Sequence, residues 1–355
     1  MVWHAVGGHV LAFAISLALG LYLTPLMRRG ALLLGVVDRP DSQLKRHKTS
    51  TPYLGGVAVY LAFIISLSLL TRPDPRTLSL LLGGTMVAMV GLLDDLRVLP
   101  PQFKLTGQLI AVWVAMRAGV CIEIVALPTA MAFPLTALWL VGVTNAFNLI
   151  DVSDGVMGAV VVPASLGLAV VALLNGDHDA ATLALAIAGA MAGFLWYNKP
   201  PASIFCGDTG ALFVGFLLAA LAIRGSYSGR NVLAPLTPLW FFFVPLMEGV
   251  LLTIARLRRG MPPWQGSDDH VAHRLSRHGW CDTTVAWLAF WVTCAGVAAG
   301  LGLVFASPTT ALALVIGLMV VAAATAALVL RFTSQGTRRG YNLPKQQTSS
   351  ISLMN

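Results

Sequence analysis

Long apolar runs separated by short polar stretches make up most of the 355-residue chain. A helix that crosses a bilayer needs about 20 mainly apolar residues. The pattern predicts a membrane-spanning helix in each of eleven runs, and ten if one of the shorter runs is broken or re-entrant. These runs are residues 9–27, 54–71, 77–93, 105–121, 134–150, 156–174, 180–197, 211–224, 235–255, 284–305 and 309–330. The predicted fold class is therefore an all-α polytopic membrane protein.

Composition supports lipid as the main solvent of the chain. Hydrophobic residues make up 57% and charged residues 11% of the sequence, whereas soluble globular proteins carry about 25% charged residues. No polar stretch is long enough to form a second domain. We therefore expect one integral-membrane domain over residues 1–335 and a cytoplasmic tail over 336–355.

Lysine and arginine are distributed unevenly between the two sets of connecting loops. Eighteen of the 23 lie in alternate connections that begin with the one after the first run, and five lie in the opposite set. Because cytoplasmic loops carry the excess of basic residues, the first set is assigned to the cytoplasm. This assignment puts the N-terminus outside and the C-terminus inside. It also explains the net charge of +8 without nucleic acid as a partner.

The segment "NAFNLIDVSDGVMG" interrupts the apolar pattern at the end of the fifth run. Asn145, Asn148, Asp151 and Asp154 follow one another at steps of three residues. On a helix, such steps form a slanted polar stripe, and Gly155 then loosens the backbone. A single Asp at such a boundary is commonly a helix cap, but polar groups at membrane depth are costly and usually functional.

Two further acidic segments lie on the same predicted side. Asp94 and Asp95 are adjacent in "GLLDDL", where they repel each other unless they bind a cation or transfer a proton. In "FCGDTGALFVGF", Gly207 and Gly210 flank Asp208 just before a predicted helix. Glycines there allow a tight turn and the close approach of a phosphate. An ordinary turn and a solvated helix end are the simpler alternatives for the two segments.

The segment "DDHVAHRL" completes the set. His270 and His273 are one helical turn apart, with Arg274 beside them. No further His or Cys follows at zinc-type spacing, so these side chains are better suited to an anion. Surface histidines on a loop remain an alternative. Carboxylates for a metal and basic groups for phosphates are the components of a phosphoryl-transfer site. A position at the inner membrane surface indicates a lipid reactant.

Together these segments resemble the polyprenyl-phosphate N-acetylhexosamine-1-phosphate transferases, the family of the WecA, TagO and MraY enzymes. "DRPDSQLKRHKTSTPYLGG" is similar to the first cytoplasmic loop of the family, and "GLLDDL" to its paired-aspartate motif. "NAFNLIDVSDG" resembles N-x-x-N-x-x-D-G-x-D-G, and "YNKPPASIFCGDTGALFVGF" resembles N-x-x-P-A-x-x-F-x-G-D-x-G-S-L. The first loop and the inside C-terminus are more similar to the WecA/TagO branch than to MraY. Val152 stands in place of the first Gly of the signature, and Ala272 in place of a histidine in H-x-H-H.

The resemblance implies transfer of an N-acetylhexosamine-1-phosphate, most simply GlcNAc-1-phosphate, from a UDP-sugar to polyprenyl phosphate, with release of UMP. Mg²⁺ is the implied cofactor, with Mn²⁺ as the alternative, and Asp208 is the expected ligand. We expect the chain in the cytoplasmic membrane of a bacterium, with its active site on the cytoplasmic face. The reaction is then the first membrane step of cell-envelope glycan synthesis. A homodimer is left open.

Roles for individual residues follow from the negative charge of both reactants. A phosphate monoester has its second pKa near about 6 and is mainly a dianion at neutral pH, so the chief barrier is the approach of anion to anion. Asp94 is expected to accept the last proton of the lipid phosphate or to orient it. The expected catalytic residues are Asp94, Asp95, Asp151, Asp154 and Lys104. The expected substrate-binding residues are Lys48, Asn148, Asn198, His270, His273 and Arg274. An aspartate that acts as a covalent nucleophile is the alternative mechanism.

Other functional classes fit the sequence less well. An ion-coupled transporter would also carry intramembrane carboxylates, but near the midplane and with inverted repeats, and no such repeat is evident. "DVSDG" matches the start of the CDP-alcohol phosphotransferase motif, but Met157 and Gly158 follow in place of its later residues. A non-catalytic homologue of the family is the remaining alternative because of Ala272.

Overall fold

The computed structural model describes residues 2–38, 51–71, 74–123, 128–225, 227 and 231–336. Helices dominate this part of the chain, together with one pair of two-residue strands. The elements are α1 (Val2–Leu34), β1 (Val37–Asp38), β2 (Thr51–Pro52), α2 (Gly55–Leu70), α3 (Pro75–Leu96), α4 (Pro101–Arg117), α5 (Thr129–Ile150), α6 (Val156–Leu174), α7 (His178–Asn198), α8 (Gly207–Arg224), a 3-10 turn (Ala234–Leu236), α9 (Thr237–Phe241), α10 (Phe243–Arg258), α11 (Val271–Arg277), α12 (Asp282–Phe305) and α13 (Pro308–Gly336).

Each of the eleven predicted apolar runs contains a helix or a pair of helices, which confirms the all-α polytopic class. Among the described residues, eight helices are long and apolar enough to cross a membrane, or nine if the bent pair α9–α10 forms one span. Helices α2 and α4 have 16 and 17 residues, fewer than the roughly 20 that a bilayer requires. The count of about 11 and the orientation of the termini stay predictions. The predicted tail lies outside the described residues, apart from Gly336 at the end of α13.

Helix α8 lies at the centre of the bundle, against α3, α5 and α2. In the most apolar stretch of α8, 83% of the residues are buried inside the protein. The value for the corresponding stretch of α13 is 6%. Gly210 makes the close approach to α2 possible, since a Cβ on it would lie 2.6 Å from the Cα of Gly56. Gly210 therefore serves helix packing, and the predicted close approach of a phosphate gains no support from its position.

Helices α9 and α10 meet at an angle of 73°. Phe242 lies at the break and is fully buried. Its ring packs at 6.1 Å from that of Trp139 and edge-on at 5.4 Å from that of Phe147. The bend carries α10 across α5 and brings its polar residues toward the ends of α3, α5 and α8.

Two sequence-based expectations about local structure need correction. The polar stripe does not continue along one helix, because α5 ends at Ile150 and Asp151 is its C-cap. Asp154 lies in the following turn, and Gly155, with φ +74°, is the N-cap of the next helix. Asp208 lies inside the first turn of α8 rather than before it. Both changes bring carboxylates close to helix N-termini, where the first backbone N–H groups lack intrahelical partners.

Candidate active site

A cavity of about 1880 Å³ opens where the polar segments around Asp38, Asp94, Asp151, Asp208 and His270 meet. This volume exceeds the roughly 300–1,000 Å³ of common small-molecule pockets and leaves room for two reactants. The predicted site residues that line it are Asp94, Asp95, Lys104, Asn148, Asp151, Asp154, Asn198, Asp208, His270 and His273. Lys48 lies outside the described residues. Arg274 is not among the lining residues, and its prediction as a substrate ligand gains no support from its position.

The carboxylate of Asp208 occupies the centre of the cavity wall. Asn148 Nδ2 donates to its Oδ1 at 2.7 Å, and the Lys104 ammonium contacts its Oδ2. The same ammonium lies 3.2 Å from Asp94 Oδ2. One cation therefore holds two carboxylates from different helices together, with about a fifth of each of the three side chains exposed. This grouping places negative and positive charge at the surface that a diphosphate would meet.

Asp95 is used differently from its neighbour Asp94. Its two oxygens accept hydrogen bonds from the backbone N–H groups of Asp208 and Thr209 at 2.8 and 3.0 Å, and from Thr209 Oγ1 at 2.6 Å. It thus caps the N-terminus of α8 from the end of α3. Gly207 is required beside it, because its φ is +72° and a Cβ would lie 2.7 Å from Asp95 Oδ1. Asp95 orients Asp208 through the backbone.

Asp151 and Asp154 also accept backbone hydrogen bonds. Asp151 Oδ2 accepts from Gly207 N at 3.1 Å, and Asp154 Oδ2 accepts from Ala202 N at 2.8 Å. Desolvation by the surrounding protein raises the pKa of the Asp151 carboxyl above its usual range, and the negative charges of Asp95 and Asp154 act in the same direction. A cation or a basic ligand at the cavity would stabilise the charged form of Asp151.

Asn198 joins two loops and is 2% exposed. Its Oδ1 accepts from Gly155 N at 3.1 Å, and its Nδ2 donates to Ile204 O at 3.0 Å. Both ends of the amide are therefore occupied by backbone. This geometry supports an anchoring role and not the predicted contact with substrate.

We expect Asn198→Ala to destabilise the protein more than it weakens substrate binding. Two buried backbone groups lose their partner, at a cost of about 1–3 kcal/mol each. The measurements are the thermal unfolding midpoint in detergent and the KM for the sugar donor. Asn175→Ala is the matched control, since Asn175 is exposed and surface changes are usually within about 0.5 kcal/mol. A large rise in KM at an unchanged midpoint would contradict the anchoring role.

The two histidines lie together at the start of α11, with ring centroids 5.5 Å apart. His273 Nε2 is 3.3 Å from Val152 O, so α11 reaches the turn after α5. That contact uses only the backbone of Val152, the residue at which the signature departs from the family. Arg274 is 6% exposed, and its Nε donates to Asp269 O at 2.7 Å. It stabilises the loop that carries the histidines.

The structure brings polar residues to the cavity that sequence reasoning missed. Gln108 pairs with Asn145 through amide hydrogen bonds of 2.6 and 3.4 Å. Tyr53 lines the cavity beside Asp38, to which it is hydrogen-bonded. Glu248 lies behind His270, in the middle of the apolar run 235–255. A lone carboxylate in such a run was a usable signal, because intramembrane acids are rarely without function.

The side chains around the cavity determine how Mg²⁺ could be held there. Among the described residues, no group of three or more His, Cys, Asp or Glu side chains is arranged to hold a metal by itself. Mg²⁺ is usually bound by one or two carboxylates together with substrate phosphates and water. Asp208 and Asp94, which already share the Lys104 ammonium, fit that mode of binding and not a site made of protein alone.

Comparison with known proteins places these residues in a wider context. The sequence profile of glycosyl transferase family 4 matches residues 77–226. The chain is 32% identical over 279 residues to the probable undecaprenyl-phosphate N-acetylglucosaminyl 1-phosphate transferase of Bacillus subtilis, which covers 76% of this chain and 78% of the relative.

Two other relatives match over similar or greater lengths. The decaprenyl-phosphate N-acetylglucosaminephosphotransferase of Mycobacterium tuberculosis is 27% identical over 340 residues, 85% of this chain and 84% of its own. The undecaprenyl-phosphate alpha-N-acetylglucosaminyl 1-phosphate transferase of Escherichia coli is 26% identical over 267 residues, 71% and 72% of the two chains. These bacterial relatives and the apolar helices agree with a multi-pass protein of a bacterial membrane.

Proposed function

The chain belongs to the polyprenyl-phosphate N-acetylhexosamine-1-phosphate transferases of glycosyl transferase family 4, and from this premise we propose that it transfers N-acetylglucosamine-1-phosphate to undecaprenyl phosphate. The donor is UDP-N-acetylglucosamine, and the products are UMP and undecaprenyl-diphospho-N-acetylglucosamine. The polyprenyl acceptor and the N-acetylglucosamine-1-phosphate group both appear in the names of the relatives.

The observation that carries the proposal is the position of Asp208 between Lys104 and Asn148 in a cavity of about 1880 Å³. A carboxylate beside an ammonium and an amide offers a site for a cation and two hydrogen-bond donors for phosphoryl oxygens. Phosphoryl transfer depends mainly on positioning and on the neutralisation of charge. This cluster provides both functions, and the volume accommodates a nucleotide sugar together with a lipid headgroup.

The bond changes follow from the two reactants. An oxygen of the lipid phosphate attacks the β-phosphorus of UDP-N-acetylglucosamine. The bond from that phosphorus to the oxygen that bridges it to the α-phosphate breaks, and UMP leaves with the electron pair. Because the lipid phosphate is mainly a dianion at neutral pH, no base must first remove a proton. Lys104 reduces the repulsion between the reactants, which supports direct displacement over a covalent aspartyl intermediate.

The residues present fit Mg²⁺ as the cofactor, and Asp208 is the residue that would hold it. When bound, the ion supplies positive charge that neutralises the diphosphate. The side chain of Asn148 keeps the Asp208 carboxylate oriented, and Asp95 fixes the backbone that carries it. Lys104 then faces the phosphoryl oxygens from the side of Asp94.

The proposed topology has eleven spans, with α9 and α10 as a single bent span and α11 as a loop helix. The short helices α2 and α4 count as spans in this topology. The N-terminus lies outside and the cavity faces the cytoplasm. The support is the distribution of lysine and arginine, which favours the cytoplasm for the loops that border the cavity.

The test is UMP release by the purified chain in detergent, with UDP-N-acetylglucosamine, undecaprenyl phosphate and Mg²⁺. We expect release that requires both the lipid and the metal, that stops with a chelator and that returns with added Mg²⁺ or Mn²⁺. Decaprenyl phosphate serves as a second acceptor. UMP release that continues without any lipid, or an absence of release with every UDP-N-acetylhexosamine tested, would contradict the proposal.

Ala272 offers a separate test of the altered histidine motif. It is 8% exposed and packs in the apolar core, whereas His270 and His273 line the cavity. We therefore expect Ala272→His to leave kcat/KM no higher than in the wild-type enzyme. Overpacking should cost about 1–3 kcal/mol of stability, seen as a lower thermal midpoint. A clear gain in kcat/KM would show instead that position 272 reaches the substrate.

A further inference from the structure

Glu248 is a buried carboxylate in the middle of α10. It is 6% exposed and lies in the apolar run 235–255. A charged group in such surroundings is costly unless it is paired and hydrogen-bonded. Its partners therefore indicate why the chain carries it.

The hydrogen bonds that the Glu248 side chain makes with the described residues all lead to the start of α11. Its Oε1 lies 2.9 Å from Nδ1 of His270 and accepts from the backbone N–H of Val271 at 3.2 Å, and its Oε2 is 3.3 Å from the same N–H. A carboxylate that accepts from Val271 is an acceptor for the ring as well. The shared proton then resides on Nδ1 of His270.

This contact determines which nitrogen of His270 can meet a ligand. The imidazole lines the cavity, Nδ1 is directed at Glu248, and Nε2 makes no hydrogen bond with the described residues. The tautomer and orientation of a histidine are set by the partner of its other nitrogen. Where such a carboxylate orients a metal-binding histidine, its loss lowers metal affinity or activity about 10–100-fold.

We propose that Glu248 is a positioning residue for the sugar-phosphate transfer, one that acts through His270 by keeping Nδ1 protonated and Nε2 directed into the cavity. The inference rests on the proposed function, in which His270 faces the reactants: with Nδ1 protonated, Nε2 presents a lone pair that accepts a hydrogen bond from a hydroxyl or amide group of the sugar donor. Glu248 itself touches no reacting atom. Its second contact, with Val271, stabilises the first turn of α11 and is separable from the first.

The two contacts can be separated by substitution. Glu248→Gln keeps an Oε1 that accepts from Nδ1, whereas Glu248→Met keeps the length of the side chain but removes the acceptor. Val271→Pro removes only the backbone N–H. Proline is favoured at the first position of a helix, and His270, at φ −56° and ψ 140°, already has the extended backbone that precedes proline.

We expect kcat/KM for UMP release to stay within about threefold of wild type in Glu248→Gln and Val271→Pro. It should fall about 10–100-fold in Glu248→Met. In the His270→Gln background, Glu248→Met should lower kcat/KM by no more than about a further twofold. The reason is that the effects of two substitutions do not add when one residue acts through the other. Asp177→Asn is the control: it breaks the ion pair with Arg224 at the far end of α8, so its effect should be equal in both backgrounds.

Three outcomes would overturn the proposal. They are an unchanged Glu248→Met enzyme, an equal loss in Val271→Pro, and full additivity with His270→Gln. If Glu248→Met does not fold, Glu248→Asp carries the same comparison, since its carboxylate is one methylene short of the ring.

A readout without turnover separates this inference from the proposed function. The ¹⁵N shifts of His270, assigned by their absence in His270→Gln, should report the Nδ1-protonated ring in wild type and a mixture of tautomers in Glu248→Met. A chain that shows these shifts but releases no UMP would contradict the proposed function alone. Identical shifts in both proteins would contradict the positioning role.

Discussion

Asp208→Asn is expected to lower the rate of UMP release by roughly a thousandfold, the upper part of the range for the loss of one preorganised electrostatic group. Such a loss corresponds to about 4 kcal/mol in the transition state. Asparagine keeps the size of the side chain and an oxygen for Asn148 Nδ2, which donates to Oδ1 in the wild-type protein. It removes the charge that faces Lys104 and the proposed cation. The fold should therefore persist while turnover fails.

Asp177→Asn is the matched control for that variant. Asp177 pairs with Arg224 at the other end of α8, about 24 Å along the helix axis from Asp208. The same chemical change there removes an ion pair without reaching the cavity. We expect nearly wild-type turnover in the control and a similar thermal midpoint in both variants. Comparable turnover in the two variants would mean that Asp208 is not the central carboxylate.

Lys104→Met has the second largest expected effect, a loss of about 100–1,000-fold in kcat/KM. The ammonium lies 3.2 Å from Asp94 Oδ2 and contacts Asp208 Oδ2. Without the ammonium, the carboxylates of Asp94 and Asp208 repel each other. They also repel the two anionic reactants, because less positive charge lies between these groups. Lys104→Arg should recover only part of the activity, because a planar guanidinium does not replace a compact ammonium between two carboxylates.

Lys199→Met is the control for the lysine. The Lys199 ammonium lies 3.6 Å from the centroid of the Trp196 ring, and Lys199 is not among the residues that line the cavity. The side-chain change is identical, and its effect on kcat/KM should be less than about threefold. If the two methionine variants lose activity equally, the loss reflects the general charge of the protein and not the cluster around Asp208.

The positions of the helices could be predicted from the sequence because lipid imposes a strict rule. Backbone groups in a bilayer must be paired within the segment, so every long apolar run becomes a helix. The ends were less predictable. Helix α3 continues through Asp94 and Asp95 to Leu96, since its last turn borders a cavity and not lipid. The bend at Phe242 depends on rings of α5 that are distant in sequence.

The candidate site was predictable as a set of residues but not as a set of roles. Side-chain type and spacing indicate that carboxylates, amides and histidines belong together. They do not reveal which oxygen will be taken by backbone N–H groups, as happens at Asp95, Asp154 and Asn198. That division depends on where α5 and α8 end relative to each other. Glu248 was missed for a related reason, since its partner His270 lies 22 residues away.

The most direct measurement identifies the lipid product after the purified chain has reacted with UDP-N-acetylglucosamine, undecaprenyl phosphate and Mg²⁺. Attack at the β-phosphorus predicts undecaprenyl-diphospho-N-acetylglucosamine by mass spectrometry, in equal amount with UMP. Attack at the sugar carbon would give UDP and a lipid with a single phosphate. Finding UDP with that monophosphate lipid, or UMP with no new lipid, would contradict transfer of the sugar-1-phosphate.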